Sequence, residues 1–180
     1  MKNKLNLGCG LRKIHGFINI DMDASVCPDI VDDVTLLATQ ADYSASLIVA
    51  SHVLEHSPSH RDAILTLSRW QMILSKGGIL RIAVPDMEQV CKHYIYHRDL
   101  RLLRGFIWGG HKSSYDIHHT GWDFDHLKVD LESIGFTNVK RYDWRHTEHF
   151  YVDSYEQAYL PHMDKTNGKL FSLNVEATVQ

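Results

Sequence analysis

The sequence predicts an α/β fold with a mostly parallel, Rossmann-like sheet, and two stretches near its start carry most of this prediction. Residues 5–10 (LNLGCG) join an apolar run to a Gly-x-Gly turn, and residues 17–21 (FINID) form a second apolar run that ends on an acid. In a parallel α/β sheet such features meet at the carboxyl ends of neighbouring strands, where adenosine-containing ligands bind. The continuous apolar run at 47–50 is typical of a third strand, buried on both faces.

The Gly-x-Gly turn is suited to a ligand that approaches the main chain. Glycine at positions 8 and 10 permits a sharp turn and presents no Cβ to that ligand. Asp21 can accept hydrogen bonds from both hydroxyls of a ribose. A nicotinamide-binding fingerprint would need a third glycine where this chain has Lys13, and an acid about twenty residues further on. Because a tight structural turn also explains two glycines, the other motifs must decide.

Strand and helix patterns alternate through the rest of the chain. Further strands are predicted at residues 29–34, 79–84, 137–142 and 170–179. Helices are predicted to begin at residues 57–59 and end at Gly77 and Gly78, to run from 87 to about 103, and to end at Gly135. Only six residues separate Gly10 from Phe17, too few for a helical crossover, so the first helix is predicted to shrink to a turn.

Five motifs, taken in order, point to a family. They are residues 5–10 (LNLGCG), 16–21 (GFINID), 28–34 (PDIVDDV), 52–56 (HVLEH) and 76–86 (KGGILRIAVPD). Together they resemble a class I S-adenosylmethionine-dependent methyltransferase, and more narrowly the small type 11-like family often associated with polysaccharide and glycan biosynthesis. The resemblance spans nearly the whole chain. It implies a seven-stranded sandwich whose last strand is antiparallel and inserts before the preceding one.

The resemblance also implies S-adenosyl-L-methionine as cofactor and S-adenosyl-L-homocysteine as product. The predicted cofactor-binding residues are Asn6, Gly8, Cys9, Gly10, Asp21, Met22, Asp33, Val34, Ser51 and His52. Asn6 stands where the broader family often has an acid that attracts the methionine ammonium. Because asparagine is uncharged, weaker affinity for the cofactor is predicted. Asp33 is expected at the adenine; alternatively, Asp32 and Asp33 cap a strand and the following turn.

Two segments without periodicity, at about 105–122 and 143–168, interrupt a predicted single domain of residues 1–180. We interpret them as caps over the carboxyl edge of the sheet. The predicted substrate-binding residues are His111, Tyr115, Trp122, Trp144 and His146. A hydroxyl acceptor would need a general base, for which histidine is suited, and the predicted catalytic residues are His119, His118 and His52. Each of these histidines could instead be a structural residue with its hydrogen bonds satisfied.

Composition excludes several other classes of function. A formal net charge of −3 and a pI near 6.5 give no basic balance for nucleic acid. The three cysteines form no C-x-x-C pair, and the sequence contains no signal peptide or membrane-spanning run. These features favour a cytoplasmic protein without a membrane partner. Thirteen histidines suggest a metal, with candidate ligands His118, His119, Asp125, His126, His146 and His149. Since no fixed ligand spacing appears, no metal is predicted.

We therefore predict a methyltransferase that acts on a small polar acceptor, such as a sugar or sugar-derived metabolite. Two alternatives stay open: a scaffold or regulatory protein that keeps this fold without catalysis, and another enzyme, either a lyase on the same cofactor or a metal-dependent hydrolase that uses the histidines. The segment 159–161 (YLP) is interpreted either as a homodimer contact or as packing on the cap.

Overall fold

The computed structural model describes residues 2–113 and 115–180, and its centre is one seven-stranded sheet. The strands of this sheet are β1 (Asn3–Leu7), β2 (Ile18–Asp21), β3 (Ile30–Val31), β4 (Ala45–Ser51), β5 (Leu74–Pro85), β6 (Phe136–Arg141) and β9 (Ser172–Val179). A separate two-stranded ladder pairs β7 (Tyr159–Leu160) with β8 (Lys169–Leu170). The segment 159–161 thus belongs partly to a strand, and its Tyr159 is buried.

The strand order β3-β2-β1-β4-β5-β9-β6 confirms the predicted Rossmann-like fold class. All pairs from β3 to β5 are parallel, whereas β9 runs antiparallel to both β5 and β6. The last strand therefore inserts before the preceding one, as expected. Parallel strands bring the carboxyl ends of β1, β4 and β5 to one edge of the sheet, and this edge carries the site.

The described helices are α1 (His60–Ile73), α2 (Met87–His97), α3 (Arg104–Trp108) and α4 (Phe124–Ser133). Ser59 begins α1, because its side chain accepts a hydrogen bond from the backbone nitrogen of Asp62. The predicted apolar face of α1 is fully buried against the sheet at Ala63, Leu67 and Trp70. None of the described helices is both long and apolar enough to cross a membrane.

Two predicted helix ends were wrong. Helix α1 ends at Ile73 and β5 begins at the next residue, so Gly77 and Gly78 lie inside β5, where its register with β4 shifts. Helix α2 ends at His97 rather than near 103, because Arg98 takes a left-handed conformation with φ 55° and the chain turns away.

The connection between β1 and β2 contains no helix, as predicted, and a buried side chain holds it in place. The Asn19 Oδ1 atom accepts hydrogen bonds from the backbone nitrogen of Ile14 at 2.8 Å and from Asn6 Nδ2 at 2.9 Å. Its Nδ2 atom donates to Asp29 Oδ2 at 2.8 Å. These bonds satisfy polar groups that would otherwise be buried without partners, and they fix the loop that follows the glycine turn.

Candidate functional site

A cavity of about 770 Å³ opens at the carboxyl ends of β1, β4 and β5. Its floor includes Asn6, Gly8, Cys9, Gly10, Ser51 and His52, six of the ten predicted cofactor-binding residues. Its roof comes from the two predicted caps, which contribute Phe106 and His118 on one side and Tyr155 and Tyr159 on the other. The volume is that of a small-molecule site, typically about 300–1,000 Å³.

The two turn glycines have different structural roles. Gly8 has φ 61°, and a Cβ there would lie 2.5 Å from Val53 Cγ2, so packing requires glycine. Gly10 has φ 48°, and a Cβ there would meet no atom within 4 Å. Since Gly10 lines the cavity, that open space is available to a ligand lying against the main chain.

Asn6 reaches the cavity floor with its side chain already oriented. Its Nδ2 atom donates to Asn19 Oδ1 at 2.9 Å and to the carbonyl of Arg12 at 3.0 Å, which uses both amide protons. Among the described residues, Oδ1 is therefore the atom of Asn6 left to accept from a ligand. An uncharged oxygen can bind an ammonium group, but without the charge attraction that a carboxylate supplies.

Two predicted cofactor-binding residues, Asp21, which was predicted for the ribose, and Met22, lie beside the cavity rather than on its wall. Asp21 Oδ2 accepts from the backbone nitrogen of Gly10 at 2.7 Å, and Oδ1 accepts from that of Asp23 at 2.9 Å. Asp21 therefore stabilises the glycine turn in this structure. Met22 is largely exposed to solvent and also lies outside the cavity.

The residues predicted for the adenine are likewise outside the cavity, and their contacts follow the alternative interpretation as turn residues. The Asp33 carboxylate accepts from the backbone nitrogen and the hydroxyl of Thr35, at 2.8 and 2.7 Å. The carbonyl of Val34 accepts from Trp70 Nε1 at 2.8 Å. Asp33 thereby stabilises the turn after β3, and Val34 connects that turn to α1.

Three histidines surround a fully buried carboxylate at the cavity. Glu55 lies in a short 3₁₀ turn (Leu54–His56) and has no solvent exposure. His52 Nδ1 lies 3.0 Å from Glu55 Oε1, and His118 Nε2 lies 3.9 Å from the same oxygen. The ring of His56 packs edge-on against that of His118, with 4.9 Å between centroids. All three histidines line the cavity.

The charge state of this cluster follows from its contacts. Although burial opposes ionisation of Glu55, the nearby histidines, His52 first, hold the pKa of its carboxyl below the ordinary value. Burial lowers the pKa of His118. A neutral His118 and an ionised Glu55 near pH 7 are the result.

His52 is held at both ring nitrogens. Its Nε2 atom lies 3.1 Å from Ser172 Oγ, and that hydroxyl donates to Asn174 Oδ1 at 2.9 Å, so Nε2 must be the donor to Ser172. Its backbone is left-handed, with φ 53°, a conformation that is uncommon for residues other than glycine. His52 is therefore placed to orient Glu55.

His119, predicted to be catalytic, is exposed and does not line the cavity. Its backbone nitrogen donates to the carbonyl of Glu55 at 2.9 Å, which ties the first cap to the 3₁₀ turn. His111 and Tyr115 are also exposed and outside the cavity. Asp116 shapes this cap instead, because its carboxylate accepts from two backbone nitrogens of the same loop.

The two predicted tryptophan contacts prove to be packing residues. Trp122 is 1% exposed, belongs to the main core and donates from Nε1 to Asp130 Oδ2 at 2.8 Å, so it lies outside the cavity. Trp144 is buried within the second cap, with Lys165 Nζ 4.8 Å from its ring centroid. His146 lines a separate cavity of about 310 Å³.

Sequence reasoning missed Glu55 as a central residue of the site. Its spacing was the available signal: residues 52–56 (HVLEH) follow directly on β4, so His52, Glu55 and His56 are brought to the carboxyl edge together. His162 and Gln157 of the second cap also line the cavity. No pattern in the sequence distinguishes these two from neighbouring polar residues.

Cys9 provides a chemical probe of the cavity floor. Burial, with a smaller contribution from the charge of Asp21, raises the pKa of its thiol to about 11. Since the thiolate is the reactive form, we expect iodoacetamide at pH 8 to modify Cys9 much more slowly than the exposed Cys27 and Cys91. Peptide mapping by mass spectrometry measures the three rates, and equal rates would contradict the described burial.

Comparison with known proteins identifies the fold. No family model matches the chain, and no curated protein sequence matches it. Solved structures do match: a S-adenosylmethionine-dependent methyltransferase from Methanosarcina mazei aligns with a TM-score of 0.62 at 14% identity, over 98% of this chain and 92% of that one. The chain has the class I methyltransferase fold.

Two further matches agree with this assignment. A methyltransferase from Thermotoga maritima, described as a possible histamine N-methyltransferase, aligns with a TM-score of 0.61 at 14% identity, over 100% of this chain and 83% of that one. A methyltransferase from Archaeoglobus fulgidus aligns with a TM-score of 0.60 at 15% identity, over 98% and 86%. At such identities the fold is shared, whereas the acceptor must be argued from the site.

Proposed function

We propose that this protein is a S-adenosylmethionine-dependent methyltransferase that acts on a small polar acceptor. The observation that carries the proposal is the open main chain of Gly10 at one end of the cavity, combined with the histidine cluster that lines it. Proteins with this fold that resemble the chain use this cofactor. The cofactor would lie over the glycine turn, with its ammonium group near Asn6 Oδ1.

Methyl transfer from a sulfonium is an in-line displacement: a bond forms between the acceptor atom and the methyl carbon as the carbon–sulfur bond breaks. The protein's main task is to hold the two partners together and to exclude water. The caps would exclude water, since Ser51 donates its hydroxyl proton to the carbonyl of Ser154 and so fastens the second cap to β4. His118 faces the part of the cavity where the acceptor would lie, and His52 orients His118 through Glu55. His119 is exposed and lies outside the cavity.

For the acceptor, we favour a sugar or sugar-derived metabolite, the class associated with the narrower family that the sequence resembles. The second cap supports this choice with Tyr155 and Tyr159 for stacking and Asp153 for hydrogen bonds to hydroxyls. Aromatic faces beside polar groups suit a ligand that is apolar on one face and hydroxylated at its edge.

The proposal is tested by incubating the protein with methyl-labelled S-adenosylmethionine and a panel of acceptors: monosaccharides, nucleotide sugars and amines including histamine. Label transferred to a sugar, with release of S-adenosylhomocysteine, is the expected result. Transfer to an amine alone would overturn the sugar assignment. Loss of the methyl group without any acceptor would favour a lyase, and cofactor binding without transfer to any compound would favour the scaffold alternative.

A further inference from the structure

We propose that Glu55, His56 and His118 together bind one divalent transition-metal ion at the wall of the cavity. One ligand atom from each of these residues lies within 4.8 Å of the others. Spacing along the sequence could not reveal this set, because His118 comes from the first cap, far from the 3₁₀ turn that carries the other two. The structure brings an H-x-x-E-H segment and a cap histidine to one point.

The carboxylate of Glu55 lacks what a buried charge normally requires. It is completely buried, yet its Oε2 atom has no hydrogen-bond partner among the described residues. The close His52 Nδ1 atom, 3.0 Å from Oε1, lies beside one oxygen only. Buried charges are normally paired and hydrogen-bonded or bound to a metal. An ion between Glu55 and the two histidines would supply the missing partner.

Both histidine ligands are held as metal-binding histidines usually are. His56 Nδ1 lies 3.0 Å from the carbonyl of Ile117, and His118 Nδ1 lies 3.0 Å from that of Phe106. A carbonyl can only accept, so each Nδ1 carries a proton, which leaves Nε2 as the ring atom that can bind a metal. Metal ligands typically donate their second N–H to a carbonyl or carboxylate in this way, which fixes the tautomer and the ring direction.

The distances suit a small divalent ion after a modest closure. Metal–nitrogen and metal–oxygen bonds of about 2.0–2.2 Å place neighbouring ligand atoms about 3–4 Å apart, so the cluster would need to contract by up to about 1 Å. Ca²⁺ and Mg²⁺ prefer oxygen ligands. A set of two imidazoles and one carboxylate that leaves some coordination positions open suits Zn²⁺ or Fe²⁺ better. His56 and His118 line the cavity, so an ion held between them would be reached from the cavity.

If the proposed methyltransferase function holds, the ion has a clear use. A metal-bound hydroxyl loses its proton more readily than a free one. The acceptor hydroxyl would release its proton to bulk solvent through the open side of the cavity, and its oxygen would then attack the methyl carbon as the carbon–sulfur bond breaks. This role rests on the proposed function, whereas binding of the ion does not.

A second group of possible ligands provides a control. His60, His126 and Asp130 also lie within 4.8 Å of one another, but both histidines are exposed. Asp130 Oδ2 already accepts from Trp122 Nε1 and lies 2.8 Å from His60 Nε2. Its charge is thus satisfied without an ion. The exposed pair could still bind added metal, so His126→Ala is introduced first to remove this background.

The test is calorimetric titration of chelator-treated protein with Zn²⁺ alone. We expect His126→Ala to bind one equivalent of Zn²⁺. Adding His118→Ala to this variant should weaken Zn²⁺ binding by at least about 100-fold. Adding Glu55→Gln instead, which keeps nearly the same side-chain shape, should weaken Zn²⁺ binding by at least about 10-fold. Binding by the His118→Ala double variant as tight as that of its parent would overturn the proposal, and so would the absence of Zn²⁺ binding by His126→Ala.

Titration of the same variants with S-adenosylhomocysteine keeps the two proposals separate. A far-UV circular dichroism spectrum and a urea unfolding midpoint like those of the parent would show that a variant has folded, so that its loss of Zn²⁺ reports on the metal ligands. One equivalent of Zn²⁺ without any binding of S-adenosylhomocysteine would overturn the methyltransferase function and leave the metal site standing. The reverse outcome would overturn the metal site alone.

Discussion

Replacing Gly10 by alanine is expected to weaken binding of S-adenosylhomocysteine by at least about 100-fold, or about 2.7 kcal/mol. The added methyl group meets no protein atom within 4 Å, so it would project into the space that the ligand needs. The left-handed backbone, φ 48°, adds a strain of about 1 kcal/mol to the folded state. Calorimetric titration measures the first effect, and urea unfolding measures the second.

Gly16→Ala is the matched control for this prediction. Gly16 is also left-handed, with φ 83°, and its added Cβ would also meet no atom within 4 Å, but it does not line the cavity. We expect a similar loss of stability and unchanged affinity for S-adenosylhomocysteine. Equal affinity of the two variants would mean that the ligand does not lie against Gly10.

Replacing Trp122 by alanine is expected to lower the free energy of unfolding by about 3–5 kcal/mol. The side chain is 1% exposed, packs in the main core and satisfies Asp130 through its indole nitrogen, so the substitution leaves a cavity and removes a hydrogen bond. Urea unfolding with an unchanged m-value would report this loss. Since domains of this size are stable by about 5–15 kcal/mol, the effect is large.

Tyr96→Ala is the control for that substitution, because Tyr96 is an aromatic residue of α2 that is 83% exposed. We expect it to change the free energy of unfolding by less than about 0.5 kcal/mol. If Trp122→Ala left stability unchanged and instead reduced methyl transfer, the sequence interpretation of Trp122 as a substrate contact would be correct and its assignment to the core would be wrong.

The sequence predicted the sheet well because the strands are short apolar runs with clear ends. The Gly8-to-Gly10 turn, Asp21 and the apolar run of β4 were enough to place the carboxyl edge, and the family resemblance implied the position of β9. Helix ends were less predictable. Gly77 and Gly78 look like a helix stop, but Leu74 already extends into β5, so tertiary pairing with β4 overrides the local signal.

The sequence predicted two cap segments but not their contacts. Between neighbouring His118 and His119 no pattern indicates which ring turns inward. In three dimensions the His118 ring lies inside, with Nδ1 3.0 Å from the carbonyl of Phe106, whereas His119 is exposed. Likewise, an isolated tryptophan such as Trp122 reads equally well as a ligand contact or as core. When the contacts of a residue are far away in the sequence, its role can be assigned only after the fold is known.

The most direct test of the central claim is calorimetric titration of the protein, stripped of carried-over ligand, with S-adenosylmethionine and S-adenosylhomocysteine. The account predicts one site with micromolar affinity, about −8 kcal/mol, for both compounds. The same titration of Gly10→Ala should show no measurable heat of binding. Absence of binding by the unmodified protein would contradict the claim, because the glycine turn and the cavity above it would then serve only the fold.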